Sequence, residues 1–179
     1  MGRLVMSEFL SLDGVMEEPS WTAAYWNDEI AAFKETEMAG AQALLLGRVT
    51  YEGFARAWPS RTDEESGGAR MNALPKYVAS ATLTRADWQN STVLGADVAG
   101  EVAALKARLG GDLLMYGSGM LGRFLLERGL VDQLNLIVYP LTLGAGQRLF
   151  GGTAVGLTLL ESRAFSSGAV LLQYAPAAK

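Results

Sequence analysis

Short apolar runs alternate with segments of helical periodicity over roughly the first 130 residues of the chain. Residues 3–12 are apolar and β-prone, and residues 43–46, Ala-Leu-Leu-Leu, are typical of a strand that is buried on both faces. A helical stripe follows the second run and consists of Tyr51, Phe54, Ala55 and Trp58. This alternation predicts a mostly parallel sheet, because parallel neighbours need a crossover connection between them.

The pattern changes near residue 130, after which strand signals dominate. Residues 132–140 form a long apolar run, and residues 157–165 and 169–175 are two strand candidates joined by Ser-Ser-Gly, a hairpin signal. We therefore predict an α/β fold with three αβα layers, a mostly parallel central sheet and an antiparallel C-terminal hairpin. No repeat or linker interrupts the chain, so we expect a single domain over residues 1–179.

Local signals indicate several helix ends and loops. Asn27 is a predicted helix N-cap with two acidic residues behind it, and Asp97 is predicted to cap a later helix. Residues 61–70 are polar and contain glycine, which favours a loop. Residues 76–80 predict a further strand, and residues 91–94 predict a weaker one.

The inventory of reactive side chains is small. The chain contains no Cys and no His, which excludes disulfides, thiolate nucleophiles and histidine bases and leaves no reason to expect a metal site. Carboxylates, Lys and Tyr remain as titratable groups, and a cofactor that carries its own chemistry suits such a set. The net charge of -4 argues against general nucleic-acid binding or attachment to an anionic membrane surface.

We expect no targeting signal at the start of this sequence. Residues 1–6 lead directly into the first predicted strand, without an apolar signal-peptide core or a small-residue cleavage site. No stretch approaches the roughly 18 uninterrupted apolar residues that indicate a membrane-spanning helix. We therefore expect a cytoplasmic protein whose partner is a small molecule, not a nucleic acid or a membrane.

A glycine-rich turn between a strand and a helix is the strongest functional signal in the chain. The apolar residues 113–116 are followed by Gly-Ser-Gly-Met-Leu-Gly at 117–122 and then by a helix pattern. Glycine permits a tight turn, and the first helical N–H groups and the helix dipole then face a bound phosphate. The motif matches the Rossmann pattern Gly-x-Gly-x-x-Gly but not its usual context. It lies late in the chain, and the next predicted strand carries no acidic residue at its end. A purely structural turn is the alternative.

A second loop has the same construction. The buried run that ends at Leu46 is followed by Gly47, Arg48 and Thr50 at the start of the next helix. The planar guanidinium of Arg48 suits a phosphate, and Thr50 could cap the helix or donate to a ligand. Two such loops at the carboxyl ends of parallel strands are the expected place for a nucleotide. For Arg48 the alternative is a surface arginine beside a helix cap.

The ordered motifs resemble the dihydrofolate reductase superfamily, and within it the branch of the riboflavin-biosynthesis reductase (the RibD C-terminal domain) and its stand-alone relatives. Four segments carry the resemblance: Ser-Leu-Asp-Gly at 11–14, Leu-Gly-Arg-Val-Thr-Tyr-Glu at 46–52, Met-Asn-Ala-Leu-Pro-Lys-Tyr-Val-Ala-Ser at 71–80 and Tyr-Gly-Ser-Gly-Met-Leu at 116–121. Asp-Gln-Leu at 132–134 and Gly-Ala-Gly-Gln-Arg-Leu-Phe at 144–150 extend it into the C-terminal third. The resemblance implies a dihydrofolate reductase-like fold.

The resemblance also implies NADPH as the hydride donor, and it assigns residues to this cofactor. The adenosine phosphate side would be held by Gly47, Arg48 and Thr50, with Ser80 beside the adenine ribose. The pyrophosphate would be wrapped by Gly117, Ser118, Gly119, Met120 and Leu121. The nicotinamide would lie near Leu12, Asp13 and Gly14.

Two carboxylates are the candidate catalytic groups. Asp13 could orient the substrate or relay a proton, and the alternative is a turn-forming Asp that bonds its own backbone. The resemblance places Glu29 at the acid that anchors the pterin in dihydrofolate reductases, and a dipole partner in the first helical turn is the alternative. The threonine beside that acid in dihydrofolate reductases corresponds to Ile137 here, which weakens the folate interpretation. Candidates for holding a substrate phosphate are Arg56, Arg61, Arg70 and Arg148.

The sequence therefore predicts an NADPH-dependent reductase that delivers hydride to a C=N or C=O group of a pteridine- or pyrimidine-like molecule, similar to 5-amino-6-(5-phosphoribosylamino)uracil reductase. The alternatives are dihydrofolate reductase activity and a non-catalytic NADPH-binding protein. NADH or a flavin is the alternative cofactor, because Arg48 is the single residue that favours the 2′-phosphate of NADPH. The family and the apolar run 134–143, which exceeds ordinary strand length, lead us to expect a homodimer.

Overall fold

The computed structural model describes residues 1–63, 67–152 and 154–177, and it contains one eight-stranded sheet. The strands are β1 (Leu4–Ser11), β2 (Ala41–Gly47), β3 (Lys76–Ala79), β4 (Ser91–Val93), β5 (Asp112–Tyr116), β6 (Gln133–Tyr139), β7 (Leu157–Ala164) and β8 (Val170–Pro176). The helices are α1 (Asp28–Gly40), α2 (Arg48–Ala57), α3 (Gly68–Ala73), α4 (Val98–Arg108) and α5 (Gly119–Glu127), and a 3₁₀ helix spans Pro19–Tyr25.

The strand order is β4-β3-β2-β5-β1-β6-β8-β7. All pairs from β4 to β6 are parallel, and the pairs β6–β8 and β8–β7 are antiparallel. The predicted mostly parallel sheet with an antiparallel C-terminal hairpin is therefore confirmed. The fifth strand inserts between the first two, and such a change in strand order creates a crevice at the carboxyl ends of the strands.

Alternate residues of the central strands pack into cores on opposite faces of the sheet. On β2, Ala43 and Leu45 join a cluster that includes side chains of α4 and α5. Their neighbours Leu44 and Leu46 join a second cluster, which contains Tyr51 of α2. Burial on both faces explains why β2 is a continuous apolar run and not an alternating one. Helices thus flank the sheet on both sides, as the three-layer prediction requires.

The predicted helix caps are present. The Asn27 side chain accepts from the N–H of Ile30 at 3.0 Å, and the Asp97 side chain accepts from the N–H of Gly100 at 3.0 Å. Of the predicted loop 61–70, residues 64–66 lie outside the described residues, and its last residues belong to α3. This helix was missed because six residues starting with glycine give too short a periodic signal.

The free edge of the sheet at β7 exposes apolar side chains. Leu159 and Leu160 are 52% and 55% exposed, although both lie within the strand. The apolar run 134–143 contributes only its first part to a strand, since β6 ends at Tyr139. No helix in the described ranges is long and apolar enough to cross a membrane.

Candidate functional site

The sheet splits where β5 ends before β1. Their pairing runs from Leu4↔Leu113 to Ser7↔Tyr116, whereas β1 continues beside β6 as far as Ser11↔Tyr139. Beyond the end of β5 the chain turns away into α5, so residues 8–11 of β1 pair with no described strand on that side. A cleft therefore opens at the carboxyl end of the sheet, where open α/β sheets bind their ligands.

A cavity of about 2040 Å³ occupies this cleft and reaches the N-termini of α2 and α5. Its volume exceeds the roughly 300–1,000 Å³ of an ordinary small-molecule pocket. The predicted cofactor residues that line the cavity are Gly47, Arg48, Thr50, Ser80, Gly117, Ser118, Gly119, Met120 and Leu121. The fold thus brings three separate segments of the chain to one surface.

The predicted residues after β1 lie elsewhere. Leu12, Asp13 and Gly14 do not line the cavity, and the side chain of Leu12 is 68% exposed. They form a tight turn, in which Gly14 has a φ of +81° and donates its N–H to the carbonyl of Ser11 at 2.9 Å. The turn packs on the loop after β6, because the N–H of Leu149 bonds the Gly14 carbonyl at 3.1 Å.

Asp13 anchors this turn to the loop after β6. Its carboxylate accepts from the Ser11 hydroxyl at 2.6 Å and from the N–H groups of Leu143 and Gly144 at 3.1 and 2.8 Å. These bonds lower the pKa of Asp13 to about 2, and the bond from the Ser11 hydroxyl has the largest effect. The group is therefore ionised at neutral pH and serves as an acceptor; its role in catalysis stays a prediction.

Glu29 joins the start of α1 to the C-terminal hairpin. Its carboxylate accepts from the Ser166 N–H at 2.7 Å, from the Ser166 hydroxyl and from the Asn27 amide at 3.1 Å. The bonds from Ser166 lower the pKa of Glu29. The side chain is exposed and does not line the cavity. The role of Glu29 in proton transfer stays a prediction.

Ser118 joins the two glycine loops. Its hydroxyl accepts from the Gly47 N–H at 2.8 Å and donates to the Tyr116 carbonyl at 3.0 Å. Its own N–H donates to the Thr50 hydroxyl at 3.1 Å. The hydroxyls of Ser118 and Thr50 thus hold the two loops at a fixed separation.

The two helices that start at the cavity differ from the helices capped by Asn27 and Asp97. The N-cap residues of α2 and α5 are Gly47 and Ser118, and in the described part of the chain no side chain caps either helix. The first N–H groups of both helices are therefore available to an anion, which the helix dipoles also favour.

Other side chains lie close to two glycines of the second loop. Gly117 has a φ of +54°, and a Cβ built there would lie 2.9 Å from the Thr50 hydroxyl oxygen. A Cβ on Gly119 would lie 2.5 Å from the sulfur of Met16. The absence of side chains at these positions leaves a backbone cradle, and this cradle fits the pyrophosphate of a dinucleotide.

Sequence reasoning missed a buried polar network beside the cleft. The Lys34 ammonium donates to Glu37 at 2.5 Å and to the Ser7 hydroxyl at 2.8 Å. The Tyr116 hydroxyl and the Asn135 amide donate to Glu37 as well, at 3.0 and 2.8 Å. These partners come from α1, β1, β5 and β6, and no spacing along the chain connects them. Only the pattern of polar residues inside apolar strands could have indicated them.

Burial sets the protonation of this network. Desolvation lowers the pKa of Lys34, while the adjacent Glu37 carboxylate opposes the shift. Desolvation and the same carboxylate raise the pKa of Tyr116 well above its usual value. The Lys34 ammonium also lies 4.1 Å from the ring centroid of Tyr116 and 5.3 Å from that of Phe9, which stabilises its charge.

The predicted phosphate-binding arginines divide into two groups. Arg56 and Arg70 line the cavity, as does Arg48 of the first glycine loop. Arg61 instead lies over the ring of Trp58, with its guanidinium carbon 4.9 Å from the ring centroid. Arg148 donates to the Asp13 carbonyl at 3.0 Å, as part of the turn described above.

The sheet order and the cleft define a dihydrofolate reductase-like αβα fold. The chain belongs to the family of RibD C-terminal domains, whose model matches residues 3–171. An uncharacterized protein of Bacillus subtilis (strain 168), YyaP, is 28% identical over 181 residues, which cover 96% of this chain and 94% of that protein. Membership of this family indicates a reductase-type enzyme.

Solved structures share the fold at low sequence identity. A candidate riboflavin biosynthesis protein from Shewanella sp. PV-4 has a TM-score of 0.79 at 19% identity and covers 98% of this chain and 99% of its own. A Thermotoga maritima diaminohydroxyphosphoribosylaminopyrimidine deaminase/5-amino-6-(5-phosphoribosylamino)uracil reductase has a TM-score of 0.69 at 16% identity, covering 98% of this chain and 57% of its own. Enterococcus faecalis dihydrofolate reductase complexed with NADP(H) has a TM-score of 0.63 at 15% identity and covers 97% of this chain and 96% of its own.

Proposed function

We propose that the protein is an NADPH-dependent reductase that acts on a C=N or C=O group of a pteridine- or pyrimidine-like molecule. The observation that carries this proposal is the pair of glycine loops joined through Ser118, with two uncapped helix N-termini over one cavity. The Thermotoga maritima relative is a pyrimidine reductase, and the Enterococcus faecalis relative is a complex with NADP(H). The first name supports a heterocyclic substrate for this chain, and the second supports a nicotinamide cofactor.

In this proposal the cofactor lies across the two loops and the substrate lies in the cleft of the split sheet. The backbone around Gly117 and Gly119 holds the pyrophosphate, and Arg48 holds the 2′-phosphate, with Ser80 beside the adenine ribose. NADPH supplies the hydride. The protein supplies position and an environment from which water is excluded.

NADPH binding is the first test. We expect a rise in melting temperature and a change in Trp fluorescence when NADPH is titrated into the full chain. Oxidation of NADPH, followed by its absorbance, would then be measured with a panel of pterin, pyrimidine and quinone-like acceptors. A protein that shows neither a thermal shift nor a fluorescence change at millimolar NADPH would contradict the proposal.

A non-catalytic NADPH-binding protein is the second candidate function. The positions of Asp13 and Glu29 favour it, since both predicted acids are exposed or partly exposed outside the cavity. Such a protein would bind NADPH without turnover of any acceptor in the panel. Single-turnover oxidation with one of these acceptors would eliminate it.

We also propose that the protein forms a homodimer in the cytoplasm and that β7 lies at the interface. The exposed Leu159 and Leu160 on this edge strand motivate the proposal, because long apolar edges are usually covered. Light scattering at micromolar concentration would give a dimeric mass. Replacement of both leucines by Lys should yield a monomer with unchanged far-UV circular dichroism, and a monomeric mass for the unaltered chain would contradict the proposal.

A further inference from the structure

One carboxyl group at the cavity differs from the others in its burial. The carboxyl-bearing residues that line the cavity are Glu8, Glu17, Glu18 and Glu35. The last three are exposed, and Glu17 accepts from the Gln147 N–H at 3.0 Å. Glu8 is only 4% exposed, and its Oε1 is a buried atom without a hydrogen-bond partner among the described residues. A buried polar atom without a partner is costly, so it calls for a functional explanation.

Glu8 lies where the sheet splits. It follows Ser7, the last residue of β1 that pairs with β5. Strand alternation places it on the face of Met6 and Leu10, toward α5, and the backbone N–H of Gly117 is near enough to lower the pKa of its carboxyl group. The group thus lies between the cleft and the glycine loop that is proposed to hold the pyrophosphate.

The surroundings of Glu8 favour its protonated form. Burial raises its pKa well above the usual value, and the nearby Glu37 carboxylate adds to the shift. The Lys34 ammonium and the Gly117 N–H act in the opposite direction without cancelling it. The shift is toward the protonated carboxyl, the form that a general acid needs.

Two other buried groups, Glu37 and Tyr116, are unsuited to this task. Both oxygens of Glu37 are occupied, one by Asn135 and the other by Lys34 and Tyr116. Tyr116 already donates its hydroxyl proton to Glu37, and its raised pKa makes it a weak acid. Among the carboxyl groups that line the cavity, Glu8 is the one that is buried and has an oxygen without a hydrogen-bond partner in the described ranges.

We propose that Glu8 is the proton donor of the reduction, an inference that rests on the proposed reductase function. A C=N acceptor gains the cofactor hydride at carbon, and its π electron pair moves to nitrogen. That nitrogen takes the proton of the Glu8 carboxyl, so that the O–H bond breaks and a C–H and an N–H bond form. The acceptor is reduced, the cofactor is oxidised to NADP⁺, and water returns a proton to the Glu8 carboxylate.

The protonation of Glu8 can be measured without turnover. Infrared spectra of the full chain at pH 7 should show the carbonyl band of a protonated carboxylic acid. This band should disappear in Glu8→Gln and remain in the control Asp87→Asn, which alters an exposed carboxylate outside the cavity and outside β7. A spectrum that shows Glu8 ionised at pH 7 would overturn the proposal, whether or not an acceptor is known.

Kinetics provide the second test. With an acceptor from the panel, single-turnover NADPH oxidation should slow by about 10²–10⁴-fold in Glu8→Gln, the usual contribution of a general acid. The thermal shift with NADPH should stay as in the unaltered chain, which shows that the variant folds and binds. An unchanged oxidation rate would overturn the role of Glu8 alone, whereas no NADPH binding by the unaltered chain would instead contradict the reductase function.

Discussion

The hydroxyl oxygen of Ser118 lies 2.8 Å from the backbone nitrogen of Gly47, although 71 residues separate the two along the chain. This bond crosses from the end of β5 to the end of β2, which are neighbours in the sheet. One side chain thus sets the distance between the two loops proposed to hold a dinucleotide. Ser118 has a φ of +62°, a conformation that is uncommon outside glycine and therefore indicates a constrained position.

Removal of this hydroxyl should loosen the pair of loops. In Ser118→Ala the Gly47 N–H and the Tyr116 carbonyl both lose a partner, so we expect the free energy of unfolding to fall by about 1–2 kcal/mol. We also expect weaker NADPH binding, measured by fluorescence titration. Ser60→Ala, at an exposed position after α2 and outside the cavity, is the control and should change neither quantity. Unchanged NADPH affinity in Ser118→Ala would show that the loops do not need this bond.

Gly117 and Gly129 provide a matched pair for testing the phosphate cradle. Both have positive φ, but a Cβ on Gly117 would crowd Thr50, whereas a Cβ on Gly129 would meet no atom within 4 Å. Gly129→Ala should therefore cost about 1–2 kcal/mol of stability through backbone strain, with NADPH binding intact. Gly117→Ala should cost more and also abolish the NADPH thermal shift. Equal effects of the two substitutions on binding would contradict the cradle.

Arg48 and Glu52 test the choice between NADPH and NADH. Their side chains form an exposed ion pair with a nitrogen–oxygen distance of 3.0 Å. Arg48→Ala should weaken NADPH binding by about 1.5–3 kcal/mol, the value of a hydrogen bond to a charged group, and leave NADH binding nearly unchanged. Glu52→Gln should free the guanidinium and strengthen NADPH binding. Equal weakening of both cofactors in Arg48→Ala would exclude recognition of the 2′-phosphate by this residue.

The buried Glu8 should give the stability of the protein a specific pH dependence. Its folded pKa lies above its ordinary value of 4.5, so between these two values the folded state binds more protons than the unfolded state. The contribution of Glu8 to stability is therefore complete below 4.5 and is lost as pH rises toward the folded pKa. The slope for one group is at most about 1.4 kcal/mol per pH unit.

Glu8→Gln should remove this loss. Melting temperatures measured from pH 4 to pH 8 should show the variant gaining on the unaltered chain as the pH rises. The control Asp87→Asn, at an exposed carboxylate outside β7, should follow the unaltered chain throughout. Parallel profiles for all three proteins would mean that Glu8 ionises as freely in the folded state as in the unfolded one.

The sequence was sufficient for most of the fold because its signals are local. The apolar run before Gly47 and the Asn27 cap each act over a few residues, and the structure contains both features. The two glycine loops were also visible, since glycine before a helix has a direct meaning for the backbone. That they face one cavity follows from the parallel arrangement of β2 and β5.

The remaining part of the site depends on tertiary contacts that no local pattern contains. No sequence signal indicated Glu8, which lies within an apolar strand. Its place at the cleft results from the neighbouring strand β5, whose pairing with β1 ends at Ser7. Asp13 had an alternative interpretation as a turn residue, and its contacts with Leu143 and Gly144 are of that kind. Their position along the chain could not reveal which acid is buried at the cleft and which binds a loop.

The bonds between Gly47, Thr50 and Ser118 can form only after distant parts of the chain have folded together. A ligand that needs this arrangement binds the native state and not the unfolded chain, and at 100 times its Kd it adds about 2.7 kcal/mol of stability. Cofactor supply would then govern how long each molecule survives in the cell. Molecules without cofactor would open more often and be degraded by proteases first.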